Sequence, residues 1–309
     1  MRINRWTIAT LLGAVAFAAG TARAQSSGAA PPADGPSPWV AELNGGIPNV
    51  DFAQAKVVAD LSFGYSTGPL GVVGRGWIDT YNIASTQTHD DYTHAGGSVE
   101  GWWLSSDSAA PLRLELRLAG EFDYYDTTTY PLVNPLSNFY DFDSRMGRGN
   151  VLVGAYYGQP DDRVTLHGQL GGGMQYEDPD TTTFTGGKRI VLHSDTDVTA
   201  DATARLWARV RVVPGRFSVR LRAESTYFTI TREQLSFAST GGGVTSSSVE
   251  RDQQIEVHAR LFCDADVAAL FGFVPAIFVG LDYLGIQGSA TSSSNVIPSL
   301  GIGIVREDP

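Results

Sequence analysis

Cysteine is nearly missing from this chain: Cys263 is the single one in 309 residues. One thiol closes no internal disulfide, so an exported protein of this size must be held together by something other than a covalent framework. Lysine is almost as scarce, with 20 arginines against Lys56 and Lys188. Guanidinium groups suit multidentate pairing in a confined space better than simple surface charge. Positive charge as a whole is in deficit, 22 Lys plus Arg against 33 Asp plus Glu. Nucleic acid is therefore not an expected partner. Beyond the amino-terminal segment, no stretch reaches the roughly 18 consecutive apolar residues that a helical membrane span requires. If the chain crosses a membrane, it does so as strands.

What is present begins with an export signal. Arg2 and Arg5 form a basic region, residues 6–17 an apolar one, and Ala22-Arg23-Ala24 a small-residue cleavage site before Gln25. Residues 1–24 are expected to be a cleaved signal peptide, residues 25–38 a flexible segment rich in Ser, Gly, Ala and Pro, and residues 39–309 the folded body. No cysteine follows the cleavage site to carry a lipoprotein anchor. Loss of Arg2, Arg5 and Arg23 leaves 19 basic against 33 acidic residues, a net charge of −14.

The body alternates. From Val198 to Val212 every second residue is apolar, while Thr199, Asp201, Thr203, Arg205, Trp207, Arg209 and Arg211 fill the other parity. Leu112, Leu114, Leu116, Leu118, Phe122 and Tyr124 likewise face away from Arg113, Glu115, Arg117, Glu121 and Asp123. A period of two puts one greasy and one polar face on a strand, whereas a helix would scatter these charges around its axis. Twelve such segments start near Trp39, Val57, Val72, His94, Leu112, Arg148, Arg163, Asp197, Arg216, Arg251, Phe273 and Asn295. Short links (residues 66–71, 105–111, 158–162 and 214–215) alternate with long ones (127–147, 177–196 and 231–250). Pro214-Gly215 fits a type II turn.

Aromatic placement follows the same parity. Trp39, Tyr65, Trp103, Tyr157, Phe217 and Phe273 fall on the apolar face at the turn end of their strands, and Tyr124, Tyr176, Tyr227 and Tyr283 at the loop end. Two aromatic girdles around an apolar band match the two interfaces of a bilayer.

With this pattern of alternating strands, short and long links and girdles, the chain after Pro38 resembles the porin-like outer-membrane barrels of Gram-negative bacteria. The resemblance implies an all-β fold, an antiparallel up-and-down transmembrane barrel of twelve strands, located in the outer membrane with both termini in the periplasm. It also implies outer-membrane lipid and the barrel-assembly machinery as partners. Such barrels commonly end on an aromatic residue, and this chain instead runs Ile302-Gly303-Ile304-Val305 and then Arg306 to Pro309.

Function must be read from the inward parity. Arg75, Arg113, Arg117, Arg205, Arg209, Arg211, Arg220, Arg222 and Arg260 lie in the turn-side halves of their strands and are expected to form a lumen arginine belt. Glu100, Glu115 and Glu224 share or border that half, while Asp79, Glu121, Asp123, Asp201 and Asp282 sit nearer the long loops, as an acidic mouth. In one reading the belt is a plug in which facing walls pair, Arg209, Arg220 and Arg222 with carboxylates such as Glu115 and Glu224. Twelve strands enclose a space between a filled and an open barrel. In the other reading the belt is an anion-passing constriction, as in arginine-lined sugar-acid porins of twelve strands. The acidic mouth opposes that, since it would repel anions. The expected function is thus a narrow channel or a structural outer-membrane element. A component of a secretion or motility machine, touching other envelope proteins, is the alternative.

An outer-membrane lipid-modifying enzyme would need a lipid-facing Ser and His. By parity His94, His167 and His258 face inward, and His89 and His193 fall in loops, so no dyad is visible and no catalytic residue is assigned. No cofactor or metal is expected. Residues 89–94 and 177–180 are acidic loop segments, Cys263 is a small apolar residue on the outer face, and Gly171-Gly172-Gly173 serves close backbone approach within a strand rather than phosphate binding.

Overall fold

The computed structural model describes residues 39–48, 56–67, 69–84, 88–105, 111–131, 140–158, 162–185, 188–193, 197–237, 244–266, 273–287 and 292–306. The expected signal peptide, residues 1–24, and the segment 25–38 lie outside the described residues.

Thirteen strands follow in order: β1 (Trp39–Pro48), β2 (Val58–Thr67), β3 (Leu70–Ala84), β4 (Thr88–Leu104), β5 (Leu112–Pro131), β6 (Tyr140–Tyr157), β7 (Val164–Thr185), β8 (Lys188–His193), β9 (Asp197–Val213), β10 (Phe217–Phe237), β11 (Val244–Asp264), β12 (Val274–Gln287) and β13 (Ser292–Arg306). Twelve of them form one closed antiparallel ring. Each pairs with its neighbours in sequence, β7 pairs with β9, and β1 meets β13 from Ala41↔Arg306 to Pro48↔Ser299. Closure satisfies the edge groups that an open sheet would expose, which is the condition for strands to sit in lipid. β8 stands outside the ring, paired with the loop-side end of β7.

Of the short links, 214–215 is a turn, as the sequence implies, while residues 68, 106–110 and 159–161 of the others lie outside the described residues. At Pro214-Gly215 the amide of Arg216 donates to the Val213 carbonyl at 3.0 Å and Gly215 takes φ 68°, the positive value that a type II turn requires at its second central residue. A register shift at Phe217/Ser218 follows, so Val212 is extra and both Val212 and Val213 face outward. The long links differ from expectation. β5 and β6 stay paired to Thr129↔Tyr140, β7 and β8 to Thr185↔Lys188, and β10 and β11 to Phe237↔Val244. Much of residues 127–147, 177–196 and 231–250 is therefore ladder. Threonine and aromatic residues favour extended backbone, and continuing a hairpin is the cheapest way to satisfy it. His89 and His193, expected in loops, belong to β4 and β8 for the same reason.

Within β7, Gly171 to Gly173 mark a close approach. A Cβ at Gly171 would come 2.1 Å from the Val151 carbonyl oxygen, and one at Gly173 1.9 Å from that of Gly149. Any side chain there would push β6 and β7 apart.

The fold is inside out relative to a water-soluble protein. Leu118, Leu170, Val153 and Ile302 are 59–71% exposed, whereas Glu100, Asp123 and Glu177 are at most 1% exposed. Soluble monomers rarely expose contiguous apolar patches beyond a few hundred Å². Here the apolar face runs round the whole ring. Trp39, Tyr65, Trp103 and Tyr157 are exposed at the turn end, with Phe217 and Phe273 partly covered, and Tyr176 and Tyr227 are exposed at the loop end, with Tyr124 and Tyr283 partly covered. The Trp39 ring stacks on Phe63 at 5.1 Å, which ties the girdle across β1 and β2.

Leu118 lies midway along the outer face of β5, between Leu112 and Tyr124. Leu118→Arg is expected to destabilise the folded barrel by about 2–4 kcal/mol in lipid vesicles, the cost of a cation near the midplane. Urea unfolding measures this. A change within about 0.5 kcal/mol, ordinary for a wet surface, would mean that this face does not meet lipid.

Candidate functional site

Because successive side chains alternate, every second residue of twelve strands is delivered to one enclosed lumen. Near the turn rim, Arg209 reaches Asp266 at 3.3 Å and Ser218, and Arg211 stands opposite Ser218 in the β9–β10 ladder. Arg113 lies over the Tyr156 ring at 4.5 Å. Arg220 crosses the lumen to Glu42 at 2.8 Å, approaches Asp264 at 3.4 Å and covers Phe262.

One level up, Glu100 is the hub. Its carboxylate takes Arg117 at 2.6 Å, Arg205 at 2.9 Å and Arg75 at 3.7 Å, from β5, β9 and β3. Glu115 holds Arg117 at 2.6 Å, Gln169 at 2.8 Å, and His167. Glu224 accepts from Arg205 at 2.9 Å and lies 4.0 Å from Arg75. Arg222 meets Asp60 at 3.2 Å, and Arg260 pairs with the same carboxylate. These bridges join walls far apart in sequence. Guanidinium groups with several donors can serve more than one carboxylate at once, and most of these do.

The partners differ from those expected. Arg209, Arg220 and Arg222 pair with Asp266, Asp264, Glu42 and Asp60, not with Glu115 and Glu224. Alternation tells which way a side chain faces, but ring closure decides which wall lies opposite: β10 looks across at β1 and β2. Glu42 and Asp60 share the inward parity of their strands and could have been found by the same rule. The glycine-rich β1 hid Glu42, because Gly45 and Gly46 interrupt its alternation, whereas Asp60 lies on β2.

The carboxylates of the loop-side half do not line an open mouth. Arg148, unassigned from sequence because Gly147 and Gly149 flank it, lies 3.1 Å from Glu121 and 3.3 Å from Asp123. Asp123 also meets Nε2 of His94 at 2.8 Å, and that nitrogen lies 3.1 Å from the Trp77 indole N–H. It can donate to the carboxylate or accept from the indole, not both. His258 joins Asp282 at 2.9 Å and Glu256 at 3.8 Å. Asp79 and Asp201 are buried alongside.

Above these groups the lumen turns apolar. Val58, Tyr81, Tyr92, Tyr125, Met146, Phe228, Leu284 and Ile297 form one buried cluster, each from a different strand. Eight strands thus send one side chain each into it, beside the buried Glu177, Gln254 and Glu256 that stand opposite Met146, Phe228 and Leu284 in the ladders. Tyr81 stacks on Tyr92 at 5.2 Å and Tyr125 stacks on His94 at 4.2 Å. The phenols of Tyr92 and Tyr125 donate to Glu256 at 3.4 and 3.3 Å, so their polar ends face the charged level below. No sequence signal marked this layer, since these residues sit on the parity assigned to polar groups.

Among the described residues, one cavity of about 100 Å³ lies within the belt, lined by Arg75, Arg205, Arg222 and Arg260 together with Asp79 and Asp123, and another of about 160 Å³ is lined by turn-side residues including Val40, Trp102 and Val305. Ser62, Arg75 and Arg222 line both. Among the described residues, no group of three or more His, Cys, Asp or Glu is arranged to hold a metal ion.

No family model matches the chain, and no curated protein matches it in sequence. Solved barrels resemble it in shape. The translocator domain of the autotransporter NalP from Neisseria meningitidis superposes with TM-score 0.46 at 9% identity, over 96% of this chain and 98% of that one. The β domain of the Bordetella autotransporter BrkA gives 0.44 at 14%, over 89% and 100%, and the monoaromatic hydrocarbon channel CymD 0.41 at 9%, over 88% and 89%. At such identity and superposition these likenesses say nothing about activity.

Proposed function

We propose that the chain is an outer-membrane barrel that is closed at rest, a structural element of the membrane rather than an open pore or an enzyme. The observation that carries this reading is the double seal. Ion pairs bridge the lumen from wall to wall through Glu100, Glu42 and Asp60, and a transverse apolar layer lies above them. A hydrated selectivity ring would leave charges facing water, whereas Glu100 is fully buried and the Glu42 and Asp60 pairs are mostly covered. His94, His167 and His258 each pair with a lumen carboxylate and so face the lumen, away from any lipid-facing serine. Outer-membrane lipid covers the apolar band, the assembly machinery inserts the barrel, and the turn rim with both chain ends faces the periplasm. The paired extensions of β5–β6, β7–β8 and β10–β11 beyond the loop-side girdle favour a second role, in which they offer envelope proteins a docking edge.

Planar bilayers test the closed state. The purified protein is expected to insert without producing discrete current steps at neutral pH. Regular open-channel steps from the unmodified chain would reject the seal.

A further inference from the structure

We propose that the lumen cavity lined by Arg75, Trp77 and Asp79 is a binding site for a small zwitterion, which places its carboxylate on Arg75 and its ammonium on Asp79. This goes beyond the closed barrel and does not require the lumen to conduct.

Arg75 and Asp79 stand four residues apart on the inward face of β3 with Trp77 between them, and all three line the cavity. Four strand residues separate their Cα atoms by roughly 13 Å, and side chains turned toward one cavity shorten the gap between the charges.

The two differ from their neighbours in how little they are engaged. Arg75 approaches Glu100 at 3.7 Å and Glu224 at 4.0 Å, both beyond hydrogen-bond length. Arg205, Arg148 and Arg222 hold carboxylates in the same cavity at 2.9, 3.1 and 3.2 Å. Asp79 is 4% exposed, its Oδ1 has no hydrogen-bond partner, and its ion pair with Arg260 spans 3.9 Å. Buried polar groups are ordinarily satisfied, so a loosely paired guanidinium and an unsatisfied carboxylate oxygen lining one cavity suit a ligand carrying the complement of both.

Charge selects the class. Arg75, Arg148, Arg205, Arg222 and Arg260 line the cavity against Asp60, Asp79, Glu121, Asp123, Glu224 and Glu256, with His94 and His258 among the carboxylates. The sum is near balance, so a net ion would be left uncompensated in a site of low dielectric. A dipolar solute aligned between the two poles would not. About 100 Å³ holds several waters or one small molecule. Ser62, Arg75 and Arg222 line both this cavity and the turn-side one, so the two adjoin across these side chains.

The test is calorimetric titration of the whole chain, folded in detergent, with 4-aminobutyrate, butyrate and butylamine. 4-Aminobutyrate is expected to bind saturably and at least tenfold more tightly than either singly charged analogue. Asp79→Asn and Arg75→Gln should each weaken it at least tenfold, with the heat-modifiable folded band intact. Should either variant fail to fold, Ser62→Phe, which puts a ring into the cavity, must weaken 4-aminobutyrate binding at least tenfold. The proposal is overturned if 4-aminobutyrate does not bind, if butyrate or butylamine binds as tightly, or if folded variants bind like the parent. Current steps in planar bilayers would reject the closed barrel and leave this result standing by itself.

Discussion

Glu100→Ala is expected to cost the folded barrel about 3–5 kcal/mol, the penalty for breaking a buried pair by removing one partner. Glu100 is fully buried and faces three guanidinium groups, from Arg75, Arg117 and Arg205. Truncation leaves those cations close together without their shared anion, so repulsion adds to the lost attraction. Arg117 keeps Glu115 and Arg205 keeps Glu224, which limits the damage. Urea unfolding in lipid vesicles measures the loss. A change below about 1 kcal/mol would show that water screens the belt, as it does exposed ion pairs, and that the lumen is a hydrated constriction.

Phe228→Ala should be nearly as severe, about 3–5 kcal/mol for deleting a buried aromatic side chain. Phe228 is fully buried in the transverse layer, 6.1 Å from Tyr125 by ring centres, and the Arg148 guanidinium lies 4.5 Å over its face. Losing the ring opens a void and withdraws a cation–π partner from Arg148, which retains Glu121 and Asp123. The ion-paired belt below is untouched. The variant is therefore expected to unfold at lower urea and yet remain silent in planar bilayers. Current steps from Phe228→Ala alone would assign the seal to the apolar layer and make the belt permeable.

The two outcomes bear on the same physical question, whether lumen charges sit in water or in protein. The fully buried Glu100 places the centre of the belt in protein, while the bridges to Glu42 and Asp60 are partly covered. In that setting ion pairs need not add net stability over apolar packing, but each one left without its partner is expensive. They suit a barrel that must exclude its alternatives, since a shift of strand register would separate many pairs together.

Sequence alone determined the strand periodicity and the turn at Pro214-Gly215. Both depend on residues one or two positions apart, and local backbone geometry ties such residues together whatever the rest of the chain does. It also set the arginine-rich inner parity, from Arg113 on β5 to Arg260 on β11. Pairing across the lumen was decided by tertiary structure. Arg220 meets Glu42 and Arg222 meets Asp60 because closing β1 onto β13 sets which walls face each other, at separations of 178 and 162 residues. The apolar layer was beyond local reading too. Tyr81, Tyr125 and Phe228 share a parity with charged residues, and only the height at which each strand's loop-side end enters the ring gathers them into one plane. That height is set by the stagger of the closed sheet, a property of all twelve strands together and of none singly.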